Sequence, residues 1–196
     1  MPTFCRPPRL MYSPRAMDVA FPNPDRCIVL VGLMGAGKST VGRRLARRLS
    51  RPFIDSDEEI EKAADRSVSE IFDSFGEASF RDGERRVIAR LIGGPPKVIA
   101  TGGGAFMDER TRSLILERCI AVWLDADIPT LAERVTRRAH RPLLKDKDPA
   151  EVLARLAEAR RPFYAQAHIH IRSESVPHER AVDMIVAALA QREEQA

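Results

Sequence analysis

The run Gly32-Leu33-Met34-Gly35-Ala36-Gly37-Lys38-Ser39 constrains this chain more than any other feature. It fits the pattern G-x-x-x-x-G-K-[ST], and its flanks are those the pattern needs, a strand before it and a helix after it. Arg26 to Val31 (RCIVLV) has the length and apolar content of a buried strand. Ser39 to Ser50 places Val41, Leu45, Ala46 and Leu49 on one helical face and arginines on the other. Side chains in such a loop would keep its backbone from wrapping an anion, and some of its positions want positive φ, hence the glycines. Its bare amides and the following helix N-terminus present partial positive charge.

The loop therefore reads as a cradle for the phosphates of ATP, with Gly35, Ala36, Gly37, Lys38, Ser39 and Thr40 as its contacts. Lys38 reaches the β and γ phosphates and the Ser39 hydroxyl ligates Mg²⁺. Switch proteins, motors and kinases share such a loop, so it specifies the donor and leaves the acceptor to the rest of the chain.

Beyond the loop, short apolar runs alternate with longer helical patterns, as in βαβ units with a mostly parallel sheet. Strands are expected at 26–31, 53–55, 97–100, 120–124 and 168–172. Helices are expected at 39–50, 57–64, 77–92, 108–117, 129–138, 149–166 and 177–191, with Asp57 as the cap of the second and Ser67–Glu70 a capping box opening another. The fold class is α/β, a five-stranded parallel sheet with helices on both faces, occupying 26–196 without a second domain. Residues 1–25 hold six prolines and no apolar periodicity, and read as a disordered or extraneous extension, with Met17 as the alternative start.

A net charge of +4 suits an enzyme handling ATP and an acidic metabolite; the rival is a nucleotide-switched nucleic-acid binder. The acidic run 55–61 and the lack of a basic patch interleaved with aromatics weigh against that rival. No apolar run has bilayer-spanning length, and Cys5, Cys27 and Cys119 show no CxxC spacing, so the chain is expected in a reducing cytoplasm. His168 and His170 lack a third ligand at metal-binding spacing and read as structural, and Trp123 as a strand residue packed on a helix.

Two further clusters fall at carboxyl ends of strands, where ligands gather in doubly wound sheets. Asp55 and Asp57 (FIDSDEEIE) end the second strand; a carboxylate there can hold magnesium through water or accept a proton from a substrate hydroxyl. Thr101-Gly102-Gly103-Gly104 ends the third, either as bare backbone for a ligand or as a flexible turn.

GLMGAGKST, FIDSDEEIE, SFRDGE, ATGGGAF, HRPLL and RRPFY, in that order, resemble the shikimate kinase family from Arg26 to about Ala190. The resemblance implies transfer of the ATP γ-phosphoryl group to the 3-hydroxyl of shikimate. It makes Asp57 the hydroxyl contact and base, and puts Asp55 in the magnesium shell. Arg81 and Arg160 then grip the shikimate carboxylate, with Gly102, Gly103 and Gly104 around the ring. Arg160 is chosen over Arg161 by its spacing to Pro162. Arg134, with Arg137 and Arg138 as alternatives, aligns with the adenine contact, and Arg141 with a mobile lid at about 136–148 that closes on ATP. ATP and shikimate are the implied partners of a monomer, without nucleic acid or membrane. The family's D-T-D is D-S-D here, and RSESVPHER matches no family segment closely enough to name a second adenine contact.

Overall fold

The computed structural model describes residues 26–136, 148–172 and 177–192. The 1–25 extension, Arg137, Arg138, Arg141 and most of the expected lid lie outside the described residues.

The sheet runs β1 (Cys27–Val31), β2 (Phe53–Asp55), β3 (Val98–Ala100), β4 (Cys119–Asp125) and β5 (Ile169–Arg172). Its spatial order is β2-β3-β1-β4-β5, and each neighbouring pair is parallel. β1 lies at the centre and is buried at all five positions, which is why RCIVLV carries no polar alternation.

Right-handed crossovers distribute the helices. The chain leaves β1 toward β2 through α1 (Lys38–Arg48), and crosses from β3 to β4 in the opposite direction through α4 (Glu109–Arg118). The two helices therefore cover opposite faces. α1 is joined on its face by α7 (His178–Gln191), while α4 packs on β4 beside α3 (Val68–Ile92). α5 (Ile128–Thr136) and α6 (Pro149–Tyr164) link β4 to β5. The reversal of winding beside β1 opens a crevice at the carboxyl ends of β1 and β3.

Local chemistry explains the helix starts, with one correction. Ser67 and Glu70 cap each other as the capping box requires, and Asp148 caps α6 ahead of Pro149. α2 (Ser56–Ala64), however, is capped by Asp55, whose side chain accepts from the Asp57 amide at 3.2 Å. β2 passes into α2 with no intervening loop, so the cap falls two residues earlier than expected and Asp57 sits in the first turn. Gly76 (φ 76°, ψ 172°) breaks α3 into two helical segments, matching the expected start near Glu77.

Candidate active site

The ends of β1, β2 and β3, with α1, α2, α5 and α7, build a charged cleft of about 470 Å³ at the crevice. Its floor is the loop between β1 and α1, where Gly35 (φ 83°) and Gly37 (φ 89°) take left-handed conformations that a side chain would strain. The Lys38 ammonium crosses back over this loop and donates to the Gly32 and Leu33 carbonyls, both at 2.8 Å. The Ser39 hydroxyl donates to Asp55 Oδ2 at 2.7 Å, so the end of β2 and the start of α1 meet through two hard oxygen atoms. Asp57, Gly102 and Gly103 line the cleft beyond them.

The triple glycine is held from below and crowded from above. Thr101 anchors it, its hydroxyl donating to Leu30 O at 3.0 Å. A β-carbon on Gly102 would stand 2.8 Å from Asp57 Oδ1 and 3.1 Å from Glu84 Oε1. On Gly103 it would meet Met34 N at 3.4 Å and Arg160 Nη1 at 3.6 Å, and on Gly104 it would run into the Arg81 guanidinium, 2.7 Å from Cζ. The space above these glycines is thus shared by Asp57, Arg160 and Arg81, which the sequence had nominated separately. Side chains at Gly102 and Gly104 would intrude on these groups, so bare backbone fits both positions. Gly104→Ala should displace the flexible tip of Arg81 rather than the backbone. The expected result is a KM for the acceptor raised about tenfold, with a KM for ATP and a melting temperature close to wild type.

The adjacent arginines of α6 part company. Arg160 Nη1 donates to Gly103 O at 2.9 Å. Arg161 turns away to Asp125 Oδ2 at 3.5 Å and lies over the Trp123 ring. Of the two, Arg160 is the one that faces the triple glycine.

Three residues in or beside the cleft went unassigned in the sequence. Glu84 lies within SFRDGE, yet only Arg81 was given a role there. It is 1% exposed, pairs with Arg81 at 2.6 Å, and its Oε1 finds no hydrogen-bond partner among the described residues. Burial raises its carboxyl above the usual range, while the Arg81 charge pulls it back and nearby Asp57 pushes it up again. Arg81 is also paired with Glu77 at 3.2 Å, and these two carboxylates outweigh burial and strengthen its basicity. The i, i+3 spacing of Arg81 and Glu84 was the available signal.

Tyr164, the last residue of RRPFY, donates its hydroxyl to Gly103 O alongside Arg160. Burial pushes its phenol up to about 12, which keeps it a donor. His178 opens α7 inside the unmatched segment 172–180 and lies against the loop, its Cε1 3.3 Å from where a Gly37 side chain would start. Burial, then Arg134 and Arg44, lower its basicity. Arg134 reaches toward Gly35 O at 3.5 Å, so it and His178 form the end of the cleft away from the triple glycine.

His168 and His170 have structural partners, as expected. His168 Nδ1 accepts from the Ala121 amide at 3.0 Å, and His170 stacks on Trp123 at 3.9 Å. A second cleft of about 430 Å³, lined by Ile60, Ile71, Phe75 and Phe80 between α2 and α3, is apolar and contains neither the phosphate loop nor the paired aspartates.

A parallel 2-3-1-4-5 sheet, a phosphate loop on its central strand and a separate acid-and-arginine pocket beyond it define a small P-loop kinase. The family model described as shikimate kinase matches residues 34–190. The chain is 57% identical over 174 residues to the shikimate kinase of Caulobacter vibrioides (strain NA1000 / CB15N), covering 89% of this chain and 87% of that relative. It is 58% identical over 164 residues to the shikimate kinase of Zymomonas mobilis, covering 84% and 93%. A solved shikimate kinase from Acinetobacter baumannii in complex with shikimate superposes with a TM-score of 0.82 at 36% identity, covering 86% of this chain and 94% of that one. The chain belongs to the shikimate kinase family.

Proposed function

We propose that this chain transfers the γ-phosphoryl group of ATP to the 3-hydroxyl of shikimate, giving shikimate 3-phosphate and ADP on the route to chorismate and the aromatic amino acids. The observation that carries the reading is the convergence of Asp57, Arg81 and Arg160 over three consecutive glycines beside the phosphate loop. A cyclic acceptor with a carboxylate at one end and hydroxyls at the other suits that pocket. Guanidinium forks orient the carboxylate, and bare backbone leaves room for the ring.

Each residue then has a chemical task. Arg81 and Arg160 fix the carboxylate, which aims the opposite hydroxyl at Asp57. Asp57 accepts that hydroxyl's hydrogen bond and takes its proton as the oxygen attacks. The loop amides and Lys38 hold the donor phosphates in line, so positioning and charge neutralisation do most of the work. Arg134 and His178 wall the adenine end. The Ser39 hydroxyl and Asp55 carboxylate are hard oxygen donors side by side at the loop mouth, a set that suits Mg²⁺, with Asp55 acting through water. Bound there, the ion would neutralise charge on the β and γ phosphates. Arg141 is the proposed cation of the lid. Buried free Cys27 and Cys119 suit a reducing, cytoplasmic setting, and a monomer is the proposed working form.

An ADP-release assay across shikimate, gluconate, AMP and CMP tests the acceptor. Shikimate should be turned over fastest, and greater activity on any other member would overturn the reading. Arg160→Ala should raise the KM for shikimate by about 10- to 100-fold, the worth of a charge-assisted hydrogen bond, while the KM for ATP stays within about twofold. Equal effects on both would show that Arg160 does not read the acceptor.

A further inference from the structure

At the end of the sheet opposite the cleft, two thiols face each other. Cys27 begins β1 and Cys119 begins β4, and they are register partners on adjacent parallel strands. Such partners stand about 4.8 Å apart, within the range of roughly 4.4–6.8 Å that a disulfide spans between α-carbons. Both residues are buried, and as register partners on parallel strands their side chains project from the same face of the sheet. Nothing in phosphoryl transfer uses either sulfur.

The surroundings make the two thiols unequal. Cys27 lies near Lys97 and Arg51, whose charges favour a thiolate. Arg51 donates to Arg26 O at 2.8 Å, and Arg26 donates in turn to Cys119 O at 2.9 Å, tying both strand starts to one basic cluster. The hydrogen bond from Cys119, then these cations, lower the Cys27 thiol, whereas Cys119 is raised by sharing its hydrogen with Cys27 and by burial. Cys27 Sγ is 3.9 Å from the carbonyl of Pro95, which lies in an exposed turn.

We propose that Cys27 and Cys119 form a peroxide-sensitive dithiol that closes an inter-strand disulfide, with Cys27 as the attacking thiol. The Cys27 thiolate attacks one oxygen of hydrogen peroxide, the O–O bond breaks, and hydroxide leaves to be protonated to water. This oxidises the sulfur to a sulfenic acid. Cys119 sulfur then attacks Cys27 sulfur, the S–O bond breaks, and the departing hydroxide takes the Cys119 proton as a second water. In balance, two thiols and one peroxide give one disulfide and two waters. A thiol reductant reverses the change.

The native full chain tests this without assuming a function. Trypsin cuts after Arg26 and Arg118, so Cys27 and Cys119 begin peptides 27–38 and 119–134. After peroxide treatment and alkylation, the expected product is these two peptides linked, two hydrogens lighter than their sum and separated by dithiothreitol. Two of the three thiols counted after denaturation should be lost. Recovery of both peptides alkylated under conditions that oxidise Cys5 would overturn the proposal, as would a linkage through Cys5. Cys119→Ser should leave a sulfenic acid at Cys27 that dimedone labels, and Cys27→Ser should abolish labelling at Cys119. Equal labelling of Cys119 in that variant would overturn Cys27 as the attacking thiol. Should either serine variant fail to fold, the wild-type peptide map still decides the disulfide.

Discussion

Lys38→Ala is expected to lower kcat by about a thousandfold, comparable to removing a preorganised donor from a developing anion. The ammonium lies on the phosphate loop itself, bonded to the Gly32 and Leu33 carbonyls. Charge accumulating on the transferred group and the leaving phosphate meets this cation directly, so the loss should appear in turnover more than in ATP affinity. The fold should persist, because α1 is held by Val41, Leu45 and Ala46 in the core and not by Lys38. Circular dichroism and thermal melting would establish that. A folded variant retaining kcat within tenfold of wild type would remove Lys38 from the chemistry.

Asp57→Asn is expected to cost about 10²- to 10⁴-fold in kcat, the usual contribution of a positioned general base. The substitution keeps the shape but neither the charge nor the capacity to take a proton. The start of α2 should not suffer, since its cap is the Asp55 side chain bonded to the backbone of residue 57. The KM for shikimate should change only a few-fold, because the carboxylate grip is proposed for the two arginines. A variant with near-normal kcat and a strongly raised KM would reduce Asp57 to an orienting contact.

The donor half of this site was legible because it is local. One loop between one strand and one helix carries its own geometry, and Gly32 to Thr40 suffices to describe it. The five strands were legible for a related reason: a buried parallel strand is an apolar run bounded by turn residues, and all five runs became strands. The residues proposed for the acceptor come from α2, α3, the end of β3 and α6, so they could be nominated only through a family resemblance. Why Gly102 and Gly104 lack side chains emerges only when Asp57, Glu84 and Arg81 are seen to fill that space. Glu84 resembled any surface glutamate of a charged helix until burial set it apart. The cap of α2 was misplaced because sequence patterns presume a loop between strand and helix, and here there is none. The expected lid with Arg141 lies outside the described residues, so that part of the reading stays with the sequence.

Trp123 is the chain's single tryptophan, stacked on His170 at 3.9 Å and 5.8 Å from the Tyr164 ring. Tyr164 in turn holds the Gly103 carbonyl. One phenol ring thus joins the only indole to the backbone that the acceptor is proposed to touch. The protein carries a built-in fluorophore one side chain away from that pocket, with an imidazole quencher against its face. Occupancy of the acceptor pocket can therefore be followed by native emission, apart from turnover and without an attached dye.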